Sequence, residues 1–337
     1  MFASIKAIEY ALPNVELTNA KLSLQFPEWS VEKISSKTGI ESRHIASEYE
    51  CASDLGVEAA NLLFDRDTVR RDVVDFILFC TQSPDYFLPT TACLLQDRLQ
   101  LPTSAGALDF NLGCSGFVYG LGLAKGLIET GQAQHVLLIT AETYSKHMNP
   151  KDKSVRTIFG DAAAATYIEA EECEKEKIGI PVYGTDGSGA CNLIVPAGGM
   201  RERSHVNHEE GAVDYGSDMR NGADLFMNGP EIFTFTLERV PTSIEMALRR
   251  AGIGLEDIDL FVFHQANGFM LEHLRKKCGI PNDKFYVSLA DVGNTVSSTI
   301  PIALKRAQED GRLEKGMRVM LSGFGVGYSW STCIIEW

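Results

Sequence analysis

Short apolar runs alternate along the chain with longer amphipathic stretches, a pattern typical of sheets that helices cover on both faces. Strands are predicted at Val74–Cys80, Ala105–Phe110, His135–Thr140, Asp257–Phe263 and Arg318–Ser322. Helices are predicted at Leu55–Phe64, Thr91–Arg98, Ser115–Thr130 and Ser297–Gln308. The stretch from Asp224 to Ala251 predicts a long helix that enters at Pro230 and kinks or breaks at Pro241. These elements place the chain in the α/β class.

The order of these elements repeats along the chain at an offset of about 183 residues. Val74–Cys80 is matched by Asp257–Phe263, the junction at Asp109–Cys114 by Asp291–Thr295, and His135–Thr140 by Arg318–Ser322. At 337 residues the chain is also longer than a usual single core of about 250–300 residues. We therefore expect two similar halves, residues 1–173 and 174–337, packed as one body.

Cys114 is the first candidate for chemistry, because it lies where a predicted strand ends and a predicted helix begins. In the first turn of a helix, free N–H groups and the helix dipole favour a thiolate by about 0.3–1 kcal/mol, and by up to about 2 kcal/mol when partly buried. Gly113 and Gly116 would let a substrate approach the sulfur closely. A small buried cysteine that only fills space fits the same position.

Two more polar side chains follow strand or loop ends in the second half, His264 after Leu260–Phe263 and Asn294 within the repeat of the Cys114 junction. Active groups of α/β folds lie at the carboxyl ends of strands, so two related halves would bring Cys114, His264 and Asn294 together. Taken singly, His264 fits a buried structural histidine and Asn294 fits a helix-capping turn. Their combination with Cys114 favours a catalytic site.

Charge and composition exclude several classes of function. The net charge of −14 and a pI near 5.0 argue against nucleic acid or an anionic membrane as the main partner. The chain contains no apolar run of membrane-spanning length and no export signal at its N-terminus, so a cytoplasmic protein is expected. Its eight cysteines include no C-x-x-C pair, which favours reduced thiols. His205 and His208 flank Glu209 and Glu210, but the surrounding polar sequence favours a solvated loop, and no metal site is predicted.

The motifs together resemble the thiolase-like condensing enzymes, and within them β-ketoacyl-acyl-carrier-protein synthase III. The residues that carry the resemblance are Trp29, Lys37–Ile40, Arg43–His44, Gly113–Phe117, Phe159–Asp161, His264–Asn267, Gly293–Thr295 and a Gly-rich terminal strand at Gly323–Trp330. The Cys/His/Asn set distinguishes this branch from the elongating synthases, which use two histidines. The resemblance implies a thiolase-like fold of αβαβα layers, a homodimer and a role in fatty acid biosynthesis.

For the chemistry, the resemblance implies that Cys114 is acylated by acyl-CoA and that a malonyl thioester, carried by an acyl carrier protein, then loses carbon dioxide and condenses with the acyl group. His264 and Asn294 would donate hydrogen bonds to the enolate oxygen. The backbone N–H groups of Cys114 and Val326 would form the oxyanion hole, with Phe324 packed beside the catalytic side chains. Acyl-CoA and the malonyl thioester are substrates, and no cofactor is implied.

The resemblance also implies which residues bind CoA, the acyl group and the carrier protein. Trp29 would stack on the CoA adenine, with Lys37 and Lys153 where the family has arginines, and Asn267 would lie near the pantetheine arm. Leu88, in the segment Pro84–Gln96, would face the acyl pocket of the partner subunit and allows an acyl group larger than acetyl. Phe269 replaces the arginine that helps dock the acidic carrier, which leaves Arg275, Lys276 and Lys277 on the same predicted helix for carrier docking.

Three other functions are compatible with parts of the sequence. One is a thiolase-fold acyltransferase that passes a CoA-borne acyl group to a non-malonyl acceptor in a secondary or glycan pathway. A second is a hydroxymethylglutaryl-CoA-synthase-like condensation, which would need a glutamate base near the end of the Phe76–Thr81 strand, where this chain has Gln82. The third is a non-catalytic partner subunit that keeps the fold, which the intact Cys114, His264 and Asn294 disfavour.

Overall fold

The computed structural model describes residues 1–66, 69–203 and 222–337. The strands in these ranges are β1 (Phe2–Ala11), β2 (Val15–Thr18), β3 (Ser42–Ile45), β4 (Phe76–Cys80), β5 (Gly106–Phe110), β6 (His135–Glu142), β7 (Ala162–Glu171), β8 (Val182–Thr185), β9 (Leu193–Ile194), β10 (Phe226–Met227), β11 (Leu260–Phe263), β12 (Arg318–Gly325) and β13 (Ser329–Glu336). The helices are α1 (Asn19–Gln25), α2 (Val31–Thr38), α3 (Ala52–Asp65), α4 (Thr91–Arg98), α5 (Gly116–Glu129), α6 (Lys153–Arg156), α7 (Gly229–Ala251), α8 (Gly268–Lys277) and α9 (Thr299–Glu309). The predicted strands and helices are thus present, with ends that shift by a few residues.

The internal repeat appears as two sheets of the same topology. The first has the order β1-β7-β6-β4-β5 and the second β8-β13-β12-β11. In both, the first two strand pairs are antiparallel and the next is parallel. Phe285 makes a parallel bridge to Phe261 of β11, at the position that β5 has beside β4. The boundary at residues 173/174 falls between β7 and β8, and as a domain division it stays a prediction.

Helices α5 and α9 fill the space between the two sheets. Both belong to one apolar cluster with strand residues of each sheet, and α5 contacts β4 and β6 on one side and β12 and β13 on the other. α3 and α4 cover the outer face of the first sheet, and α7 covers that of the second. Because α5 and α9 are buried on most of their faces, their sequences are largely apolar or small, and the buried Lys125 and Lys305 are paired with carboxylates. This layering is the predicted αβαβα arrangement.

Helix α7 departs from expectation at Pro241. The helix runs without a break from Gly229 to Ala251, with Asn228 as the N-cap and Pro230 in the first turn. Proline removes one backbone hydrogen bond, but residues on one face of α7, from Ile232 to Ala247, are buried against the second sheet on both sides of Pro241. Packing on both sides of the proline therefore keeps the helix continuous.

Two further expectations need correction. The Gly-rich segment Gly323–Trp330 is not one strand but a hairpin, in which β12 ends at Gly325 and β13 begins at Ser329. Strand β1 was not predicted, because Lys6 and Glu9 interrupt its apolar pattern; in the fold, buried Glu9 is paired with Lys305 of α9 at 2.9 Å.

The cysteines and the polar loop can be compared with the structure only in part. All eight cysteines are free thiols. His205, His208, Glu209 and Glu210 lie outside the described residues. Among the helices of the described part of the chain, none is long and apolar enough to cross a bilayer.

Candidate active site

The three polar residues predicted to meet do line one cavity, of about 330 Å³. Cys114 follows β5, His264 follows β11, and Asn294 is held in a parallel bridge to Phe159. The remaining wall is mainly apolar and consists of Ile158, Phe159, Leu193, Met227, Gly229, Pro230, Ile232, Phe233, Ala266, Asn267, Phe269, Met270, Phe324 and Gly325. We refer to this cavity as the tunnel, since it extends from Cys114 to the exposed side chain of Phe269.

Cys114 precedes α5 instead of lying in its first turn: Ser115 is the N-cap and Gly116 is the first helical residue. The glycines around it serve packing more than substrate access. A Cβ on Gly116 would lie 2.3 Å from Sγ of Cys80, so only glycine fits between α5 and β4. Gly325 is the residue that faces the nucleophile, because a Cβ there would lie 2.9 Å from both Cβ and Sγ of Cys114.

The surroundings of Cys114 favour the thiol, whereas its place at a helix start predicts a thiolate. Burial raises the pKa of Cys114 to about 12, and the charge of Glu142 raises it further. Hydrogen bonds from the backbone N–H groups of Cys114 and Val326 to the sulfur act in the opposite direction without reversing the shift. Burial destabilises the Cys114 thiolate by more than the helix terminus stabilises it. Acylation therefore requires an acceptor for the thiol proton.

Glu142, at the end of β6, is a fully buried carboxyl close to the nucleophile. It accepts hydrogen bonds from the backbone N–H of Gln82 and the hydroxyls of Ser83 and Ser297, at 3.0–3.2 Å. Burial raises the pKa of Glu142 to about 8, with these hydrogen bonds opposing the shift. Below that pH the carboxyl is therefore mostly protonated, and its negative charge opposes ionisation of Cys114 only at higher pH, where the thiol itself would titrate.

The amide of Asn294 has a fixed orientation. Its Oδ1 accepts the backbone N–H of Val296 at 2.9 Å, while its own backbone is tied to Ile158 and Gly160. The Nδ2 group therefore points toward the tunnel, where it lies 3.5 Å from Nε2 of His264. Asn294 is thus a preorganised hydrogen-bond donor, in line with the role that the resemblance implies.

His264 is 2% exposed, and its Nδ1 lies 2.7 Å from the hydroxyl of Thr299. That hydroxyl is placed to donate to the carbonyl of Val296 at 3.0 Å, which leaves its oxygen to accept a hydrogen bond from Nδ1–H. Burial lowers the pKa of His264 to about 3, and a hydrogen bond to the Val296 carbonyl opposes this shift. The resting imidazole is therefore neutral, and we assign its proton to Nδ1 from the Thr299 contact, which leaves the lone pair on Nε2, beside Asn294. Sequence reasoning treated His264 only as a donor.

Phe324 and Val326 flank these groups on the hairpin between β12 and β13. The ring of Phe324 stands edge-on to the His264 imidazole, with centroids 5.5 Å apart. Phe324 is 2% exposed and so excludes water from one face of the imidazole. A hydrogen bond from the N–H of Val326 lowers the pKa of the Cys114 thiol, so this donor lies beside the reacting sulfur, and its role in an oxyanion hole stays a prediction.

A cationic cluster surrounds Trp29 at the start of α2. The ammonium groups of Lys33 and Lys37 each lie 5.1 Å from the centre of the Trp29 ring, as cation–π contacts. Lys33 was missed from the sequence, although its spacing of four residues from both Trp29 and Lys37 was a usable signal. Lys153 forms an ion pair with Glu28 at 2.7 Å beside this cluster.

The outer end of the tunnel is lined by α7 and α8. Asn267 is the N-cap of α8, and its Oδ1 accepts the N–H of Met270 at 2.9 Å, which leaves Nδ2 for a ligand. Phe269 is 55% exposed and packs on Phe233 and His273, with ring centroids 5.5 and 4.1 Å away. An aromatic contact thus stands where the resemblance predicts an arginine.

Of the three cations predicted to dock the carrier, Arg275 is already bound by groups of α8 and the turn that follows it. Arg275 binds both carboxylate oxygens of Glu272 and the carbonyl of Ile280, at 2.8–2.9 Å. Lys276 also contacts Glu272, at 3.0 Å, but its side chain is 67% exposed. Lys277 is exposed. Carrier docking by these three residues stays a prediction.

Leu88 does not reach the tunnel of its own chain. With Tyr86 and Phe87 it forms an exposed apolar segment, at 62%, 78% and 81% exposure for Tyr86, Phe87 and Leu88. The segment follows Gln82, whose side chain lies beside Gly113, the residue before the nucleophile. We call residues 86–88 the apolar arm.

Comparison with known proteins identifies the same chemistry as the geometry. Residues 108–187 match the family described as 3-Oxoacyl-[acyl-carrier-protein (ACP)] synthase III, and residues 248–337 match its C-terminal family. The first match contains Cys114 and the second contains His264 and Asn294.

Full-length relatives agree with these matches. The chain is 36% identical to β-ketoacyl-[acyl-carrier-protein] synthase III of Caldanaerobacter subterraneus over 97% of this chain and 95% of the relative. It is 37% identical to β-ketoacyl-[acyl-carrier-protein] synthase III 2 of Bacillus subtilis, over 99% and 98%. A solved 3-oxoacyl-(acyl-carrier-protein) synthase III is 53% identical and superposes with a TM-score of 0.97 over 100% of both chains.

Proposed function

The chain belongs to the 3-oxoacyl-[acyl-carrier-protein] synthase III family of thiolase-like condensing enzymes and is an acyltransferase, and from that premise we propose that Cys114 takes an acyl group from acyl-CoA and passes it to a malonyl thioester. The observation that supports this proposal is the convergence of Cys114, His264 and Asn294 on one tunnel from both halves of the chain. The tunnel has a volume of about 330 Å³ and a largely apolar lining, which suits a pantetheine arm that delivers a thioester.

In the first half-reaction, the sulfur of Cys114 attacks the thioester carbonyl of acyl-CoA. The thiol proton moves to the lone pair on Nε2 of His264, and from there to the sulfur of the departing CoA. The backbone N–H groups of Cys114 and Val326 hold the developing oxyanion. The products are acyl-Cys114 and free CoA, with no net gain or loss of protons.

In the second half-reaction, the malonyl thioester enters the emptied tunnel. Its carboxylate favours protonation of the nearby His264 by solvent, so that both Nε2–H and Nδ2 of Asn294 donate to the thioester oxygen as carbon dioxide leaves. The resulting enolate attacks the acyl carbon on Cys114, and His264 returns its proton to the released thiolate. One proton is consumed for each carbon dioxide released, and every step uses only protein groups and the two thioesters.

The acyl-enzyme is the direct test of this function. Incubation with a panel of acyl-CoAs should add an acyl mass to the peptide that contains Cys114, and hydroxylamine should remove it. The buried thiol of Cys80 provides a matched control, since Cys80→Ala should still form the adduct whereas Cys114→Ala should not. Absence of an adduct with every acyl-CoA would refute the nucleophile and the scheme.

We propose that the second substrate arrives on an acyl carrier protein, as the names of the relatives indicate for those proteins. Lys276 and Lys277 are the exposed cations of α8 available to an acidic carrier. The cluster of Trp29, Lys33 and Lys37 suits the adenine and phosphates of CoA. Steady-state rates with malonyl-carrier and with malonyl-CoA show which of the two thioesters is the second substrate. If malonyl-CoA alone supports turnover, the proposed role of the carrier protein is wrong.

We propose that the active form is a homodimer in which the apolar arm enters the partner's acyl pocket. Three consecutive large apolar side chains at this exposure are rarely left in water. Replacing Phe87 with aspartate should yield a monomer in light scattering, whereas Leu24→Asp, at a similarly exposed apolar position on α1, should not. A monomeric wild-type protein would contradict the proposal.

A further inference from the structure

The side chain of Gln82 stands directly beside the nucleophile's backbone. A Cβ on Gly113 would lie 2.5 Å from Oε1 of Gln82, and 2.8 and 3.2 Å from the side chains of Val326 and Val296. The amide oxygen of Gln82 is therefore in van der Waals contact with the residue that precedes Cys114. Gln82 and Tyr144 are not among the residues that line the tunnel.

Gln82 is held in place by hydrogen bonds at both ends of its amide. Its Oε1 accepts the hydroxyl of Tyr144 at 2.6 Å, and its Nε2 donates to Oδ1 of Asn111 at 3.0 Å. Tyr144 is 4% exposed, and its ring packs on Phe159, a tunnel residue, with centroids 5.4 Å apart. The Gln82–Tyr144 pair thus forms a fixed polar wall that joins the tunnel lining next to Cys114.

The two half-reactions indicate on which side of Cys114 the acyl group must lie. In both of them a pantetheine arm occupies the tunnel, so the acyl group on the sulfur cannot remain there while the second thioester enters. The acyl group must instead extend past Gly113, toward Gln82, Tyr144 and Val326. Gln82 follows β4 by two residues and precedes the exposed apolar arm, so an acyl group that extends to this side of Cys114 meets the Gln82 side chain first.

We propose that the Gln82–Tyr144 pair sets the length of the acyl group, admitting short primers such as acetyl or propionyl and hindering medium and long chains. This inference rests on the proposed function. A long alkyl chain would have to separate the Tyr144 hydroxyl from the Gln82 oxygen and leave both without a partner in a buried site. A short acyl group ends before it meets the pair.

The chemistry of the pair supports a wall and not a proton-transfer group. The Gln82 amide neither gains nor loses a proton at working pH, and burial raises the pKa of Tyr144 well above its usual value. The pair also qualifies the expectation drawn from Leu88. A leucine on the partner's arm leaves more room than a phenylalanine, but the wall within the chain itself limits what can use that room.

Competition between two primers tests the inference. Equal concentrations of acetyl-CoA and octanoyl-CoA are offered to the full-length enzyme, and intact mass gives the ratio of octanoyl to acetyl adduct on Cys114. Wild type should favour acetyl, and the ratio should rise roughly 10- to 100-fold in Gln82→Ala and in Tyr144→Phe, because each removes the hydrogen bond that a long chain must break. Tyr10→Phe, which removes a phenol that accepts from Arg306 outside the tunnel lining, should leave the ratio unchanged.

The outcomes separate this inference from the proposed function. If wild type forms no adduct with either primer, the nucleophile role of Cys114 fails and the inference fails with it. If the adduct forms but wild type takes octanoyl as readily as acetyl, or if neither variant changes the ratio, only the role of the Gln82–Tyr144 pair is overturned. Tyr144→Phe keeps the ring that packs on Phe159, so it provides an answer even where Gln82→Ala does not fold.

Discussion

Replacing Thr299 with valine tests how the imidazole of His264 is set for proton transfer. Valine has the shape of threonine but cannot accept the Nδ1 proton, which the Thr299 hydroxyl accepts over 2.7 Å at a site where His264 is 2% exposed. Leaving a buried donor without a partner costs about 1–3 kcal/mol. The proton then favours Nε2, which removes the lone pair that takes the proton of Cys114.

The expected result is slower acylation of Cys114. At 1.36 kcal/mol for each tenfold change in rate, acyl-enzyme formation from acetyl-CoA should fall roughly 5- to 150-fold in Thr299→Val. Rapid-quench mass spectrometry measures that rate directly. Thr299→Ser keeps the hydroxyl and should stay close to wild type.

A second readout separates tautomer control from general damage. Nitrogen-15 NMR of labelled imidazole should show a lone pair on Nε2 in wild type and in Thr299→Ser, and on Nδ1 in Thr299→Val. The reasoning would be refuted by a valine variant that acylates at the wild-type rate, or by a serine variant as slow as the valine variant. An unchanged tautomer in Thr299→Val would refute it equally.

Three further predictions concern neighbouring groups. Cys114→Ala should still decarboxylate malonyl thioester, whereas Asn294→Ala should lose about 10²–10³-fold of that activity, measured as carbon dioxide release; the reverse pattern would disprove the division of roles. Gly325→Ala should slow acylation at least roughly tenfold, seen as adduct mass against time, because its Cβ would meet the Cys114 sulfur at 2.9 Å. Because burial raises the pKa of Glu142 from its ordinary value of 4.5 to about 8 in the folded state, folding stability should fall as pH rises through that window, by up to about 1.4 kcal/mol per pH unit. Urea unfolding should show this loss in wild type and not in Glu142→Gln, and parallel curves for the two proteins would contradict the assignment.

The sequence predicted the fold best where burial alone dictates the residues. β4, β6, β11 and β12 are buried on both faces, so their apolar runs are continuous and their repeat at a constant offset is visible. β1 escaped prediction because its charged Glu9 is satisfied by Lys305, almost three hundred residues away in the sequence. The continuity of α7 through Pro241 likewise depends on packing that local propensity does not contain.

The identity of the site residues could likewise be predicted from local sequence, whereas their chemical state could not. Cys114, His264 and Asn294 could be picked out because each follows a recognisable strand or turn. The state of each group depends on contacts between distant segments: Thr299 sets the tautomer of His264 from 35 positions away, and Gln82 meets Tyr144 across 62. The thiolate expected at Cys114 stays a prediction, and the burial that opposes it depends partly on Gly325 in the other half of the chain, which no local pattern contains.

The position of α5 and α9 between the two sheets has a consequence for how the enzyme fails on heating. The segments that lead into these helices carry Cys114 and Asn294, and the helices themselves are packed between the two sheets. Their amide hydrogens should exchange with solvent only when the whole protein opens, with no smaller opening unit that exposes the reactive groups first. Loss of catalysis on heating should therefore coincide with global unfolding, and deuterium uptake in α5 should follow the same temperature curve as activity.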